Sequence, residues 1–199
     1  MKQWVETRSQ FFREWVRSPL QTASVIPSSR SLARKMAQSV TINDKPIIEL
    51  GPGTGVFTRA LLERGLPEEQ LILVELNPVF ARSLAEKFPR ARVINGAAEN
   101  IAANGFDDPV EFVISGIPLM SISNHRVGRI LQSVFDVLEK QGRLVQFTYA
   151  PRCPVNQELM RQHGLKSQLR GVVFTNFPPA HIYHISRANN AGNRANNHE

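Results

Sequence analysis

The chain has 199 residues, enough for one compact α/β domain with its own core and short for two. Its 42% hydrophobic and 21% charged residues are ordinary globular values, and no apolar run nears the roughly 20 residues of a membrane span. The single cysteine, Cys153, excludes an intrachain disulfide, and Glu6, Arg8, Arg13 and Glu14 break any signal-peptide pattern, so a soluble cytoplasmic protein is the expectation. The formal net charge of +7 is uneven: residues 1–40 carry +5, residues 41–142 carry −3 and residues 143–199 carry +5. Basic ends around a mildly acidic middle point to an anionic partner, either nucleic acid or an anionic membrane.

In chain order, residues 1–18 read as a helix ending at Ser18-Pro19, residues 19–29 as a linker, and residues 30–39 as a second short helix. Alternation then begins. Lys45–Leu50 is a buried strand entering a glycine turn, and Gly55–Arg64 a helix stopped by Gly65. Gln70–Leu76 is a second strand, Pro78–Phe88 a helix, Arg92–Asn95 a third strand and residues 97–104 a short helix. Val110–Ser115 is a fourth strand, Asn124–Lys140 a long helix closed by Gly142, and Arg143–Tyr149 a fifth strand. Residues 155–163 read as a further helix, and Gly171–Phe177 with Ala180–Arg187 as a terminal hairpin. Residues 188–199, with five asparagines and no large apolar residue, read as a disordered tail. The expected organisation is an N-terminal helical extension over residues 1–40, an α/β domain over 41–187 with a mostly parallel sheet and helices on both faces, and the tail.

The clearest chemical signal is Glu49-Leu-Gly51-Pro-Gly53-Thr54-Gly55, between a strand and a helix. Glycines there let the backbone turn sharply and approach a ligand closely. The dinucleotide fingerprint G-x-G-x-x-G/A does not fit, because its last position is Val56 and the third glycine falls one residue early. Glu49 instead suits a ligand with an ammonium group. Glu75, ending the second strand before Leu76, can accept both hydroxyls of a ribose, or can simply cap the following helix. Ala97 and Ala98, after the third strand, are small enough for an adenine ring to lie against the backbone.

Together these pieces resemble the class I methyltransferase superfamily over about residues 45–150. The resemblance implies a Rossmann-like, seven-stranded sheet whose last strand inserts antiparallel. It also implies S-adenosylmethionine as cofactor, with S-adenosylhomocysteine as product. Ser115-Gly116-Ile-Pro118-Leu119 resembles the acceptor motif of N-methyltransferases, including the ribosomal RNA adenine dimethylases. Those enzymes carry Asn-Leu-Pro-aromatic here; Ser115 replaces the Asn, and Leu119 or Met120 the aromatic that stacks on a base. RNA adenine methylation is therefore the second reading, and a non-catalytic methyltransferase-like binding protein the third. Val25–Ala37, the Glu49–Gly55 turn, Ser115–Leu119 and Val145–Pro151 resemble the bacterial phospholipid N-methyltransferases. That family methylates the amine of phosphatidylethanolamine towards phosphatidylcholine. The resemblance implies an anionic membrane surface and a phospholipid as partners, with peripheral association at the inner membrane.

The N-terminus agrees with a membrane partner. At 100° per residue, Trp4, Val5, Phe11, Phe12, Trp15 and Val16 fall within a sector of about 140°, and Lys2, Arg13 and Arg17 on or near the opposite face. A basic helix with two Trp and two Phe suits a membrane interface, although such a stripe also packs on a protein core. Within the cleft, Ser115 and the Gly116 carbonyl are candidates to hold the acceptor amine, with Tyr149 offering a hydroxyl or a ring face; Tyr149 equally reads as a core strand residue. Ser28, Ser29, Arg30 and Arg152 are candidate phosphate donors, and Ser28 or Ser29 equally a plain helix cap. The histidines show no metal-ligand spacing, so no metal is expected.

Overall fold

The computed structural model describes residues 27–106, 110–176 and 178–188, with residues 27–29 described by backbone alone. The expected helix over residues 1–18, with Trp4, Phe11, Phe12 and Trp15, lies outside the described residues, as do the side chains of Ser28 and Ser29 and residues 189–199 of the tail.

Seven strands form one sheet: β1 (Ile47–Leu50), β2 (Leu71–Glu75), β3 (Arg92–Asn95), β4 (Val110–Ser115), β5 (Leu138–Thr148), β6 (Leu165–Val173) and β7 (Ala180–Arg187). Their spatial order is β3-β2-β1-β4-β5-β7-β6. The first five pair in parallel, and β7 inserts antiparallel between β5 and β6. The helices are α1 (Pro27–Gln38), α2 (Val56–Glu63), α3 (Pro78–Lys87), α4 (Asn124–Val137) and α5 (Gln157–Gln162). A 3-10 turn at Ala98–Asn104 replaces the expected short helix.

β1 and β2 are buried at every position, as expected of central parallel strands covered on both faces. Alternate residues feed two cores. Ile48, Leu50, Val74, Val113 and Leu144 pack under α4 through Leu131 and Val134. Ile47, Leu71, Leu73, Ile114 and Val145 pack on the other face with Met36 of α1, Leu61 of α2 and Leu84 of α3. Asn77 and Ser123 cap α3 and α4 by accepting the backbone N–H of Val79 and Arg126. Arg64 donates to the carbonyls of Ala37 and Val40, tying the end of α2 to the end of α1.

Four expected boundaries are corrected. α1 starts at Pro27, inside the expected linker, with proline in its first turn, where the missing N–H costs no hydrogen bond. α4 ends at Val137, not Lys140, because Leu138 is already extended and pairs with Val110. Gly142 is therefore no helix stop. It lies in β5, where a Cβ would meet Leu138 Cδ2 at 2.9 Å and the Glu139 carbonyl at 3.0 Å. β6 starts at Leu165, six residues before the expected hairpin strand and on the sheet edge, and it ends at Val173 rather than Phe177.

Candidate active site

The register lines up the carboxyl ends of the central strands: Leu50 lies beside Val74 and Ser115, Glu75 beside Asn95, and Ser115 beside Gln146. The strand order reverses between β1 and β4, and ligands of open α/β sheets bind at that switch.

Gly51, Gly53 and Gly55 all have left-handed backbones, at φ 66°, 55° and 81°. Their surroundings differ. A Cβ on Gly55 would meet the Phe88 ring at 2.8 Å, whereas one on Gly53 would meet no atom within 4 Å. Gly53 thus faces open space, and its N–H is fixed by a 3.0 Å bond to Glu75 Oε2. The second Glu75 oxygen accepts the Asn77 N–H at 2.9 Å. Each oxygen keeps a lone pair free of these bonds. Leu76 beside it is 62% exposed.

Glu49 is 0% exposed. Its Oε2 accepts the Thr58 hydroxyl at 2.7 Å, while Oε1 is buried with no partner among the described residues. Burial pushes its pKa up to about 7 and the Glu75 charge adds to this; hydrogen bonds from the Thr58 side chain and backbone, and the charge of Arg59, act in the opposite direction. A buried carboxylate with one orphaned oxygen invites a cation, which would restore its charged form.

At the end of β4, Ser115 is buried and its Oγ accepts the Ile117 N–H at 3.2 Å. Gly116 donates to the Leu50 carbonyl at 2.8 Å, and a Cβ there would meet the Gly51 carbonyl oxygen at 2.8 Å. That approach holds the two turns together, so Gly116 has a packing reason to be glycine. Leu119 is buried and Met120 is 49% exposed. Tyr149 hydrogen-bonds with the Asn176 side chain and packs edge-on against Phe147, which packs edge-on against Phe57. Burial raises the Tyr149 pKa, against the effect of the Asn176 bond.

Of the expected residues, Glu49, Gly51, Gly53, Thr54, Gly55, Glu75 and Leu76 sit on the turns ending β1 and β2. Ala97 and Ala98 follow β3, and Ser115 and Gly116 end β4. Arg30 and Arg152 are exposed. Sequence reasoning missed Gln146. Fully buried in β5, it donates to the carbonyls of Ile117 at 3.0 Å and Phe147 at 2.9 Å, with its Oε1 unpartnered among the described residues. It fixes the loop that carries Pro118.

This cradle fits S-adenosylmethionine: an opening at Gly53 that a Cβ would fill, a buried carboxylate for a cation and a second carboxylate for hydroxyls. Residues 47–142 match the family model described as a methyltransferase domain. The chain is 32% identical over 137 residues to an ornithine lipid N-methyltransferase of Singulisphaera acidiphila, covering 65% of this chain and 71% of that protein. Over 64 residues it is 42% identical to a ribosomal RNA small subunit methyltransferase A of Maridesulfovibrio salexigens, covering 32% of this chain and only 24% of that protein. Among solved structures, the fold is similar to a 1,6-didemethyltoxoflavin-N1-methyltransferase of Burkholderia thailandensis (TM-score 0.65, 13% identity, 94% of this chain and 90% of that one). It is also similar to a TehB-like methyltransferase of Corynebacterium glutamicum (TM-score 0.59, 15% identity, 92% and 99%). The chain belongs, with the ornithine lipid enzyme, to the class I S-adenosylmethionine-dependent methyltransferase family, and S-adenosylmethionine is its cofactor.

Proposed function

We propose that this methyltransferase is a lipid N-methyltransferase acting on the amine of phosphatidylethanolamine and its methylated intermediates, towards phosphatidylcholine. The observation that carries the reading is the 32% identity to a lipid N-methyltransferase across 71% of that protein, set against ribosomal RNA methyltransferases matched over 22%, 24% and 40% of their length. The acceptor loop supports it: Leu119 is buried and Met120 exposed where a base-stacking aromatic would stand.

S-adenosylmethionine supplies a methyl group on a positively charged sulfur. In this reading Glu49 faces its ammonium group, the Gly51–Gly55 turn its amino-acid portion, Glu75 its ribose hydroxyls, and Leu76, Ala97 and Ala98 its adenine. Ser115 Oγ and the Gly116 carbonyl accept the N–H bonds of the acceptor amine and aim its lone pair along the transfer line; such positioning contributes several kcal/mol. An alkyl ammonium has a pKa near 10 by analogy with lysine. Desolvation at this buried strand end lowers it, so water suffices to take the proton. The Tyr149 ring offers a face to the cation that grows as methyls accumulate.

The name of the relative favours a second acceptor, the amine of an ornithine lipid. Mass spectrometry of lipids after incubation with vesicles of either kind separates the two. A series of 14-Da additions on phosphatidylethanolamine supports the first reading, additions confined to ornithine lipid the second, and no addition to either defeats both.

A further inference from the structure

A second polar site lies under the end of α1. There α1 closes over Phe112 of β4, Arg143 of β5, Arg170 of β6 and His184 of β7, leaving a cavity of about 250 Å³. Lys35, Arg143, Arg170 and His184 line it together with Ser39 and Thr41, and no Asp or Glu does. Each cation has a structural reason to be there. Gly171 leaves room for the Lys35 stem, since a Cβ would meet Lys35 Cε at 3.0 Å. Arg143 lies beside Phe112 at the start of β4. Arg170 is the extra residue of a bulge between Leu169 and Gly171, a device that re-aims a side chain.

Among the described residues neither Lys35 nor Arg143 has an ion-pair partner, and Arg170 reaches only Gln168 Oε1 at 3.4 Å. Glu111 and Glu139, on the neighbouring strands, are engaged by Asn43 at 2.6 Å and Lys45 at 2.5 Å. The carbonyls at the end of α1 are engaged too: Arg64 takes Ala37 and Val40, the Ser39 hydroxyl takes Lys35, and the His184 ring takes Ser39.

His184 is the second mark of a ligand. It is 7% exposed, and its Nε2 is buried with no partner among the described residues. Burial, then the charges of Arg170 and Arg143, push its pKa down to about 4, against the bond to Ser39, so the unpartnered Nε2 carries a lone pair in the empty cavity.

We propose that this cavity binds a phosphate group, free or on a lipid headgroup, through Lys35, Arg143 and Arg170, with His184 taking up a proton as the anion enters so that its Nε2–H donates from the cavity floor. No residue lining the cavity belongs to the candidate methyl-transfer site, and phosphate binding there does not depend on what accepts the methyl group. The test is titration of the full chain with inorganic phosphate, followed by calorimetry and by the ring resonances of His184. Saturable binding that shifts His184 is expected, weakened about tenfold or more by Lys35→Ala or Arg170→Ala and untouched by Arg161→Ala, a cation outside the cavity. Unchanged S-adenosylmethionine affinity in each variant shows that it is folded. Phosphatidylglycerol vesicles identify the source. Vesicle binding lost in the two cavity variants and displaced by inorganic phosphate assigns the site to a lipid headgroup; vesicle binding unaltered while phosphate binding is lost assigns it to a free phosphate. Equal phosphate affinity in wild type and cavity variants, or binding that leaves His184 unmoved, overturns the proposal.

Discussion

In the proposed reading, Glu49 couples the cofactor site to pH. Folding raises its pKa from 4.5 to about 7, so between those values the folded protein keeps a proton that the unfolded chain has released. Without ligand, this contribution is complete below pH 4.5 and lost as pH rises towards 7, by on the order of 3 kcal/mol. A cationic ligand reverses the preference and expels the proton. Cofactor affinity is therefore expected to fall by up to tenfold per unit as pH drops below 7, and Glu49→Gln to flatten that dependence. Calorimetry across pH 5.5–7.5 checks this, and a flat wild-type profile would refute it. The glycines separate space from strain. Gly53→Ala meets only the left-handed backbone cost, about 1 kcal/mol, yet fills the opening and should lower cofactor affinity at least tenfold. Gly55→Ala adds the clash with Phe88 and should lose about 3 kcal/mol of stability, read by thermal unfolding. These residues were legible because strand, glycine turn and acid are neighbours in sequence. Gln146 was not, since a polar residue between Val145 and Phe147 reads as facing water, and its partner Ile117 is 29 residues away. The Tyr149–Asn176 contact was equally hidden by sequence distance.

At the scale of elements, β3, β4 and β7 begin and end where the sequence predicts, because apolar runs bounded by turn residues mark them. The α4–β5 junction was misread because Leu138-Glu-Lys continues the helical pattern up to Gly142. What sets the boundary is tertiary. Arg187 donates to the carbonyls of Phe135, Leu138 and Glu139 and lies over the Phe135 ring at 5.3 Å, closing the helix end from β7. Arg187→Ala is expected to cost about 2–3 kcal/mol by orphaning those carbonyls, seen as a lower denaturant midpoint with an unchanged slope. A midpoint within error of wild type would show that water replaces the guanidinium. The early part of β6 was missed for another reason. An edge strand needs no continuous apolar run, and Lys166, Gln168 and Arg170 are exposed on it.

Across the whole molecule, two chemistries lie apart: carboxylates and glycine turns at the carboxyl ends of β1 and β2, and under α1 cations without an ion-pair partner among the described residues. No helix among the described residues is long and apolar enough to cross a membrane. The proposed reading gives a membrane contact to Trp4, Phe11, Phe12 and Trp15. Trp15→Glu is expected to abolish sedimentation with anionic liposomes while leaving cofactor affinity intact; retained sedimentation would place the contact elsewhere. The central claim, methyl transfer to a lipid amine, is tested most directly in one reaction holding labelled S-adenosylmethionine, RNA, and anionic liposomes containing phosphatidylethanolamine. The account predicts label on the lipid amine and none on the RNA; label entering the RNA while the lipid stays unlabelled would contradict it.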